Sequence, residues 1–512
     1  MASRHDLHDH AVHHGACGCG LGLPRLSRRA VLAGGMAAVA AAGLAGCAQN
    51  PATGRSSFTG FSDISDDVAV GRREHPKLLE AFGGAYEDRR LQAYVDGILR
   101  RMVPYTEYPD LPYEITIANT PIVNAFALPG GKITLTRGLL AMASNEAEVA
   151  GVVAHEMGHV TARHSAERQG AGMVAQLGAV LLGAVTGSSE IANLASFGAQ
   201  AYLQSYSREQ ELEADMLGVR YMTRAGYDPD AMTTFLATLG DQARLDARMM
   251  GRDPAAVDQY NIMATHPRSV ERVQQAMQLA EAARPADPVV AREAYLNTIS
   301  GMLFGDDPEQ GLVLGQRFVH PDLRFAYEVP DGFRLMNAPD KVVAQHPEGA
   351  AIVMDMGASR TDDPADYLRG WMRGARVMNL ERIRVNGLPA ATAALQVQSR
   401  QGPMRAQAVV LPAAQRGRMI RFLFLAPPNA FGRFDEGFRR TTYSIRHLSP
   451  AEAAEVEPLR LLVTEVRPGD TVRGLSAGLP YGRWNDEWFR LLNDMQLNDG
   501  LRPGDMVKIV AR

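Results

Sequence analysis

Residues 152–160 read Val-Val-Ala-His-Glu-Met-Gly-His-Val and contain the pattern His-Glu-x-x-His at positions 155 to 159. Residues four positions apart lie on the same face of a helix, so His155 and His159 are placed to bind one metal ion together. Zinc is the metal that this pattern favours, and Glu156 lies close enough to act as a general base toward water. The stretch predicts a catalytic zinc site that needs a third ligand from elsewhere.

Length and composition indicate a globular protein of more than one domain. The chain has 512 residues, of which 46% are hydrophobic and 21% charged. Its net charge of -4 and the lack of a basic stripe argue against a nucleic-acid partner. The three cysteines are Cys17, Cys19 and Cys47, all near the N-terminus. If the leader that contains Cys17 and Cys19 is removed, only Cys47 remains, and the zinc ligands must be histidines and carboxylates.

The N-terminal residues are typical of an export signal. Ser27-Arg28-Arg29 precedes an apolar run at 33–46 and resembles a twin-arginine signal. The run ends in Leu-Ala-Gly-Cys, which resembles a bacterial lipobox with Cys47 as the lipidated first residue. Ala48 follows rather than Asp, which indicates the outer membrane and its periplasmic face. The alternative is a plain signal peptide with a chance cysteine. We predict a signal peptide at 1–47 and a flexible tether at 48–66.

The region before the metal motif predicts helices followed by a small sheet. Residues 68–101 have helical spacing, and residues 113–117 alternate as a strand. Residues 122–128 and 132–136 are predicted to be two strands joined by a Pro-Gly-Gly turn. A strand at the lip of a metal cleft can bind an extended substrate at its edge. The alternative is an ordinary core hairpin.

The metal motif itself is predicted to lie on a helix over 146–168 with Asn145 as its N-cap. His164 is five residues past His159, off the ligand face, and is interpreted as a surface histidine. The apolar run at 170–187 predicts a buried or lid helix, with a membrane-contacting segment as the alternative.

A candidate third ligand follows in Ser-Arg-Glu-Gln-Glu-Leu-Glu-Ala-Asp at 207–215. Glu211 and Asp215 are four residues apart on one helix face, which suits a carboxylate ligand and a second acid that fixes a ligating imidazole. Composition alone leaves Glu209 and Glu213 as competing ligands.

These motifs together resemble the HtpX/BepA-like zinc metallopeptidases, the family of the CAAX prenyl endopeptidases. The resemblance covers roughly residues 70–285 and rests on four short motifs, which are 155–159, 211–215, Asn-Ala-Phe-Ala-Leu-Pro-Gly-Gly at 124–131 and Thr-His-Pro at 265–267. It implies zinc bound by His155, His159 and Glu211, with Glu156 as the catalytic base and Asp215 supporting a ligand.

The resemblance also implies roles for residues without metal-binding spacing. Asn124, Ala125 and Phe126 would lie on the substrate-binding edge strand. His266 and Arg272 would lie near the metal and stabilise the oxyanion, or His266 would cap the zinc and keep the enzyme latent. On the bare sequence His266 is a loop histidine of no special meaning.

The C-terminal half predicts a linker at 286–311 and an α+β domain at 312–448. The predicted strands lie at 325–330, 350–356, 391–398, 406–411 and 419–425, and the predicted helices at 367–378 and 431–443. This domain shows no clustered chemistry.

The tail at 459–512 resembles a LysM module, a small βααβ fold that binds N-acetylglucosamine polymers. It departs from the pattern at 475–485, where glycines and Pro480 interrupt the first helix. The LysM resemblance implies peptidoglycan as a partner. The tetratricopeptide repeats common in BepA-like proteins are not evident as a period in this sequence.

We therefore predict an α+β protein with a mainly helical, zincin-type peptidase domain at 67–285 that contains a small sheet. The predicted function is a zinc endopeptidase, lipid-anchored on the periplasmic face of the outer membrane. The family implies quality control, with unfolded or misassembled envelope proteins as substrates. The alternatives are a dedicated maturation protease, a chaperone-like envelope scaffold that rarely cleaves, and a cell-wall-binding protein led by the tail.

Overall fold

The computed structural model describes residues 63–167, 206–251, 284–373, 377–399, 402–496 and 498–512, with short stretches between 47 and 58 and a few single residues between 253 and 281. Within this part of the chain no helix is long and apolar enough to cross a bilayer. The apolar run at 170–187, His266 and Arg272 lie outside the described residues.

The N-terminal segment predicted to be a tether contains a short strand pair. Strand β1 (Cys47–Gln49) pairs antiparallel with β2 (Ser56–Phe58). The backbone of the predicted tether is therefore paired over these residues.

The peptidase region is mainly helical around one small sheet, as predicted. Its elements in chain order are α1 (Ile64–Ala81), α2 (Arg89–Met102), β3 (Glu114–Ala118), β4 (Ala125–Leu128), β5 (Lys132–Thr136), α3 (Arg137–Met142), α4 (Glu146–Thr161), α5 (His164–Glu167), α6 (Arg208–Arg224), α7 (Asp230–Met249) and α8 (Arg292–Ile299). The stretch with helical spacing at 68–101 forms two helices, separated by a turn that contains Gly83 and Gly84, both at positive φ.

The three-stranded sheet has the order β3-β5-β4, so β4 lies at one edge. Strand β3 runs parallel to β5, and β4 runs antiparallel to it. The predicted Pro-Gly-Gly turn joins β4 to β5, with Gly130 at φ 78° and Gly131 at φ 86°. A Cβ atom on Gly130 would lie 2.5 Å from the Cα atom of Val68, so the turn packs tightly against α1.

The predicted α+β domain follows. Its elements are β6 (Leu312–Leu314), β7 (Arg317–His320), β8 (Phe325–Glu328), β9 (Arg334–Ala338), β10 (Lys341–Gln345), β11 (Ala351–Ala358), α9 (Pro364–Trp371), β12 (Val377–Val385), β13 (Leu388–Ser399), β14 (Gly402–Pro412), β15 (Arg418–Ala426), α10 (Phe431–Ser444), β16 (Arg446–His447) and α11 (Pro450–Ala454). A seven-stranded sheet has the order β12-β13-β14-β15-β11-β10-β9, and a second sheet has the order β16-β8-β7-β6. All five predicted strands are present, whereas the helix predicted to reach residue 378 ends at Trp371 and strand β12 begins at Val377.

The tail has the element order strand, helix, helix, strand. These elements are β17 (Arg460–Glu465), α12 (Val472–Leu475), α13 (Asn485–Leu492) and β18 (Met506–Ala511), and β17 pairs antiparallel with β18. The two strands and two helices occur in the order predicted for the tail, and a 3-10 turn at Gly482–Trp484 lies between the helices.

The tail and the predicted linker share a hydrophobic core with the peptidase region. From the tail this core includes Leu461, Val466, Leu479, Trp488, Phe489, Leu492, Val507 and Val510, and from the linker Tyr295, Leu296, Ile299, Met302 and Phe304. The backbone of Leu461 also exchanges hydrogen bonds with the segment after α8, accepting from Gly301 at 2.7 Å and donating to Met302 at 2.9 Å. The tail is thus packed into the peptidase domain.

Candidate metal centre

Helix α4 carries the metal motif, and every residue of its second half is buried. Asn145 caps the helix as predicted, because its side chain accepts a hydrogen bond from the backbone N–H of Glu148 at 2.9 Å. Glycine at position 158, between the two histidines, lets α6 approach closely. A Cβ atom there would lie 2.8 Å from the carbonyl oxygen of Ala214. The close approach brings the carboxylates of α6 to the histidines of α4.

Three side chains from α4 and α6 converge on one point. His155 Nε2 lies 3.0 Å from His159 Nε2. The Glu211 carboxylate places one oxygen 3.7 Å from His155 Nε2 and the other 3.5 Å from His159 Nε2. All three residues are buried and form a group that could hold a metal ion. Among the competing carboxylates, Glu209 is exposed, and Glu213 forms a hydrogen bond with His164 instead.

This donor set fits zinc. Tetrahedral ligands at about 2.0–2.1 Å from zinc lie about 3.3 Å from one another, and the three observed separations fall on either side of that value. Two imidazoles and one carboxylate are also the protein ligands of known catalytic zinc sites. The residues present therefore suit a zinc ion that retains one open position.

Asp215 supports His155 from the side opposite the metal position. Its carboxylate lies 2.8 Å from His155 Nδ1, which leaves Nε2 directed at the other ligands. Burial by itself lowers the pKa of His155, but the hydrogen bond with Asp215 and the nearby carboxylates outweigh it and raise the pKa above its ordinary value. The carboxylates that favour a proton at this point also favour a metal cation.

His159 is enclosed by aromatic and imidazole rings. The Tyr206 ring stacks on it with centroids 3.7 Å apart, and His164 Nδ1 lies 2.8 Å from His159 Nδ1. Burial lowers the pKa of His159 well below its ordinary value, which favours the neutral imidazole that a metal requires.

The interpretation of His164 as a surface histidine is wrong, because its side chain is fully buried. Helix α4 ends at Thr161, before the predicted end at 168, and Arg163 takes a left-handed conformation with φ 53°. This reversal turns His164 back toward His159. A continuous helix would have directed it elsewhere.

Glu156 is 1% exposed and directly follows the ligand candidate His155 on α4. Its carboxylate is among the charges that raise the pKa of His155, so it lies within electrostatic reach of the ligand group. This position suits a general base beside the metal.

The edge strand β4 lies against α4. The backbone carbonyl of Asn124 accepts a hydrogen bond from the Thr136 N–H on β5. Because backbone groups alternate along a strand, those of Phe126 also face β5, whereas those of Ala125 and Ala127 face the outer edge. The Phe126 ring packs on Phe82 with centroids 4.8 Å apart. Of the three predicted substrate-binding residues, Ala125 therefore has backbone groups on the side of β4 away from β5. Ala125 is fully buried, and its N–H is taken by the Asn124 side chain at 3.0 Å.

The comparison with known families covers the same region. Residues 89–280 match the model of peptidase family M48. The chain contains an M48 metallopeptidase domain. Zinc is the metal of this family, and His155, His159 and Glu211 form a suitable ligand group within the M48 domain.

Two curated relatives match the M48 domain and adjoining residues. The "Beta-barrel assembly-enhancing protease" of Escherichia coli (strain K12) is 32% identical over 218 residues, which cover 41% of this chain and 43% of that protein. The "Mitochondrial metalloendopeptidase OMA1" of Schizosaccharomyces pombe is 32% identical over 226 residues, covering 42% of this chain and 61% of that protein. The chain thus spans about half the length of the curated relatives that it matches.

Among solved structures, the cyanobacterial PsbP protein (CyanoP) of Synechocystis sp. PCC 6803 overlaps 26% of this chain and 91% of its own length. It is 15% identical with a TM-score of 0.21, which is too low to assign a fold.

Proposed function

We propose that the chain is a zinc-dependent endopeptidase of the bacterial cell envelope that hydrolyses peptide bonds of misfolded or stalled envelope proteins. The convergence of His155, His159 and Glu211 supports the catalytic part, because all three donor groups are buried at zinc-ligand spacing beside Glu156. The match to the M48 model supports it independently.

The chemistry follows from the arrangement of the chain's own groups. A bound zinc ion would lower the pKa of water and polarise the peptide carbonyl. Glu156 takes a proton from the attacking water and passes it to the leaving amine. Asp215 holds the Nδ1–H group of His155, so that Nε2 stays directed at the metal.

The edge strand β4 supports an extended, unfolded substrate. Its outer edge has no strand partner among the described residues. Ala127, which is 7% exposed, directs its N–H and carbonyl to this edge, where they would form main-chain hydrogen bonds with an added peptide. Main-chain recognition requires an extended segment more than a particular sequence, as a protease acting on misfolded proteins would need.

The location and the client class rest on the N-terminal motif and the relatives. The Escherichia coli relative is a beta-barrel assembly-enhancing protease, which favours clients of the outer membrane. Lipidation at Cys47 would hold the enzyme at the periplasmic face. Replacing Cys47 by Ser should abolish incorporation of a labelled fatty acid, and undiminished labelling would exclude this anchor.

His266 and Arg272 keep the roles implied by the resemblance as proposals. His266 would either stabilise the oxyanion or occupy the open metal position and hold the enzyme latent. Cleavage by His266→Ala separates these roles, because faster cleavage supports a latch and slower cleavage supports an oxyanion donor.

Peptidoglycan binding by the tail is tested by pull-down on purified sacculi with the full chain. Sedimentation with the sacculi that soluble N-acetylglucosamine oligomers prevent would support peptidoglycan binding. A protein that stays in the supernatant would exclude it.

The test of the proposed function uses one substrate protein, α-lactalbumin, in an unfolded and a native form. The full chain should cleave α-lactalbumin that has been reduced and carboxymethylated, and leave the native, disulfide-bonded form intact. A chelator should abolish cleavage, and zinc should restore it. Equal cleavage of both forms would contradict a preference for misfolded chains, and cleavage that survives the chelator would contradict the zinc mechanism.

A further inference from the structure

The second zinc ligand, His159, is connected to a buried chain of side chains that the sequence did not indicate. His159 Nδ1 lies 2.8 Å from His164 Nδ1, and His164 Nε2 lies 2.9 Å from Glu213 Oε2. His164 is fully buried, and Glu213 lies on α6 two residues after the ligand candidate Glu211. These three hydrogen-bonded side chains thus connect α4 and α6, the two helices that carry the ligands.

The hydrogen atoms shared by His159, His164 and Glu213 have one consistent arrangement when His159 binds a metal. His159 Nε2 faces His155 and Glu211, so it is the atom that offers its lone pair. His159 Nδ1 then carries the ring hydrogen and donates it to His164 Nδ1. A neutral His164 that accepts at Nδ1 carries its own hydrogen on Nε2, and it donates that hydrogen to the Glu213 carboxylate.

We propose that His164 and Glu213 are positioning residues for the zinc ligand His159, with His164 as the hydrogen-bond acceptor that orients the ring and Glu213 as the anchor that fixes His164. This inference rests on the proposed zinc-binding function. It adds to the M48 domain a support for the second ligand that parallels the Asp215 support for the first.

The two supports differ in length. Asp215 contacts its histidine directly, whereas Glu213 acts through the His164 ring. The acceptor nearest to a ligating imidazole fixes its orientation and basicity, and removal of such a partner typically weakens metal affinity about 10- to 100-fold. The larger effect is therefore expected at His164 and the smaller effect at Glu213.

The test measures zinc affinity, by competition with a chromophoric chelator, on the full chain. His164→Phe keeps a ring of similar volume but no acceptor, and it should bind zinc about 10- to 100-fold more weakly than wild type. His164→Asn returns an oxygen near the position of Nδ1 and should recover most of that loss. Glu213→Gln keeps an acceptor for His164 and should stay within a few-fold of wild type, whereas Glu213→Ala should be weaker.

A buried histidine elsewhere provides the matched control. His75 is 6% exposed, and its ring Nε2 lies 3.1 Å from Thr134 Oγ1 rather than next to a metal ligand. His75→Phe should lower thermal stability without changing zinc affinity. A role of His164 in packing alone would give the same result for His164→Phe.

The outcomes separate this inference from the proposed function. If wild type fails to bind about one zinc ion per chain, the proposed function fails first. If wild type binds zinc and His164→Phe binds it as tightly as wild type, the positioning role is overturned. The same holds if His164→Asn binds zinc as weakly as His164→Phe. Should His164→Phe not fold, a Glu213→Ala variant with wild-type affinity would overturn it.

Discussion

Lys508 in the tail offers the sharpest stability prediction, because its charged end is buried inside the peptidase domain. Its Nζ donates hydrogen bonds to the carbonyl oxygens of Ala141, Met142 and Ala143 at 2.9, 3.2 and 2.8 Å. These carbonyls end helix α3 and have no partner within that helix, so the Lys508 amino group serves as the C-terminal cap.

Replacement of Lys508 by Met keeps the aliphatic stem and removes all three hydrogen bonds. Each contributes about 1 kcal/mol net, so the free energy of unfolding should fall by about 3 kcal/mol. Burial lowers the pKa of Lys508 to about 7. Above pH 7 the buried side chain is a neutral amine that keeps two N–H donors, and the folded protein binds fewer protons than the unfolded chain. Wild-type stability therefore rises with pH, and the loss in Lys508→Met should increase from pH 7 to pH 9.

The assay is urea unfolding followed by tryptophan fluorescence. Trp488 reports directly, since it belongs to the core shared by the tail and the peptidase region. The control is Lys77→Met, whose lysine side chain is 56% exposed and pairs with Glu74, and it should change stability by less than about 1 kcal/mol. A change in Lys508→Met no larger than in the control would refute the capping argument.

Two further predictions concern a metal support and a buried histidine. Asp215→Ala should weaken zinc affinity about 10- to 100-fold because His155 loses its Nδ1 partner, and unchanged affinity in a chelator competition would contradict this. Burial lowers the pKa of His320, 8% exposed, to about 4. The buried neutral imidazole therefore makes its full contribution to the free energy of unfolding above about pH 6.5. As pH falls toward 4, that free energy should drop by about 3 kcal/mol at most. His320→Asn should show a flatter pH dependence in urea unfolding. Equal pH dependence in the two proteins would exclude His320 as the cause.

The ligand group could be predicted because its spacing is local. His155 and His159 are one helical turn apart, and Glu211 and Asp215 repeat that spacing on the partner helix. The sequence alone left Glu209 and Glu213 as alternatives to Glu211. The packing of α6 on α4 distinguishes them, and no local pattern encodes that packing.

The support of His159 could not be predicted, because it depends on a break in the helix. The helical pattern of the sequence continues past residue 161, whereas the left-handed conformation of Arg163 turns His164 inward. Arginine rarely adopts that conformation, so its identity gave no signal. An ion pair between Arg163 and Asp67 at 2.6 Å accompanies the turn.

The position of the tail was also not readable from the sequence. Its strands and helices were predicted from the resemblance of residues 459–512 to a LysM module. The contact between Lys508 and Met142 joins positions 366 residues apart. The packing of the predicted linker at 286–311 was not readable for the same reason, since the apolar residues of α8 gave no sign of which core they enter.

The most direct test of the central claim is the behaviour of Glu156→Gln, measured as zinc content and peptide-bond cleavage on the same preparation. The account predicts that this variant retains about one zinc ion per chain and loses cleavage by at least about 100-fold, because Gln cannot accept the proton from water. Glu87→Gln, at an exposed position, should match wild type in both. Cleavage by Glu156→Gln at the wild-type rate, with zinc bound, would show that Glu156 is not the base and contradict the mechanism.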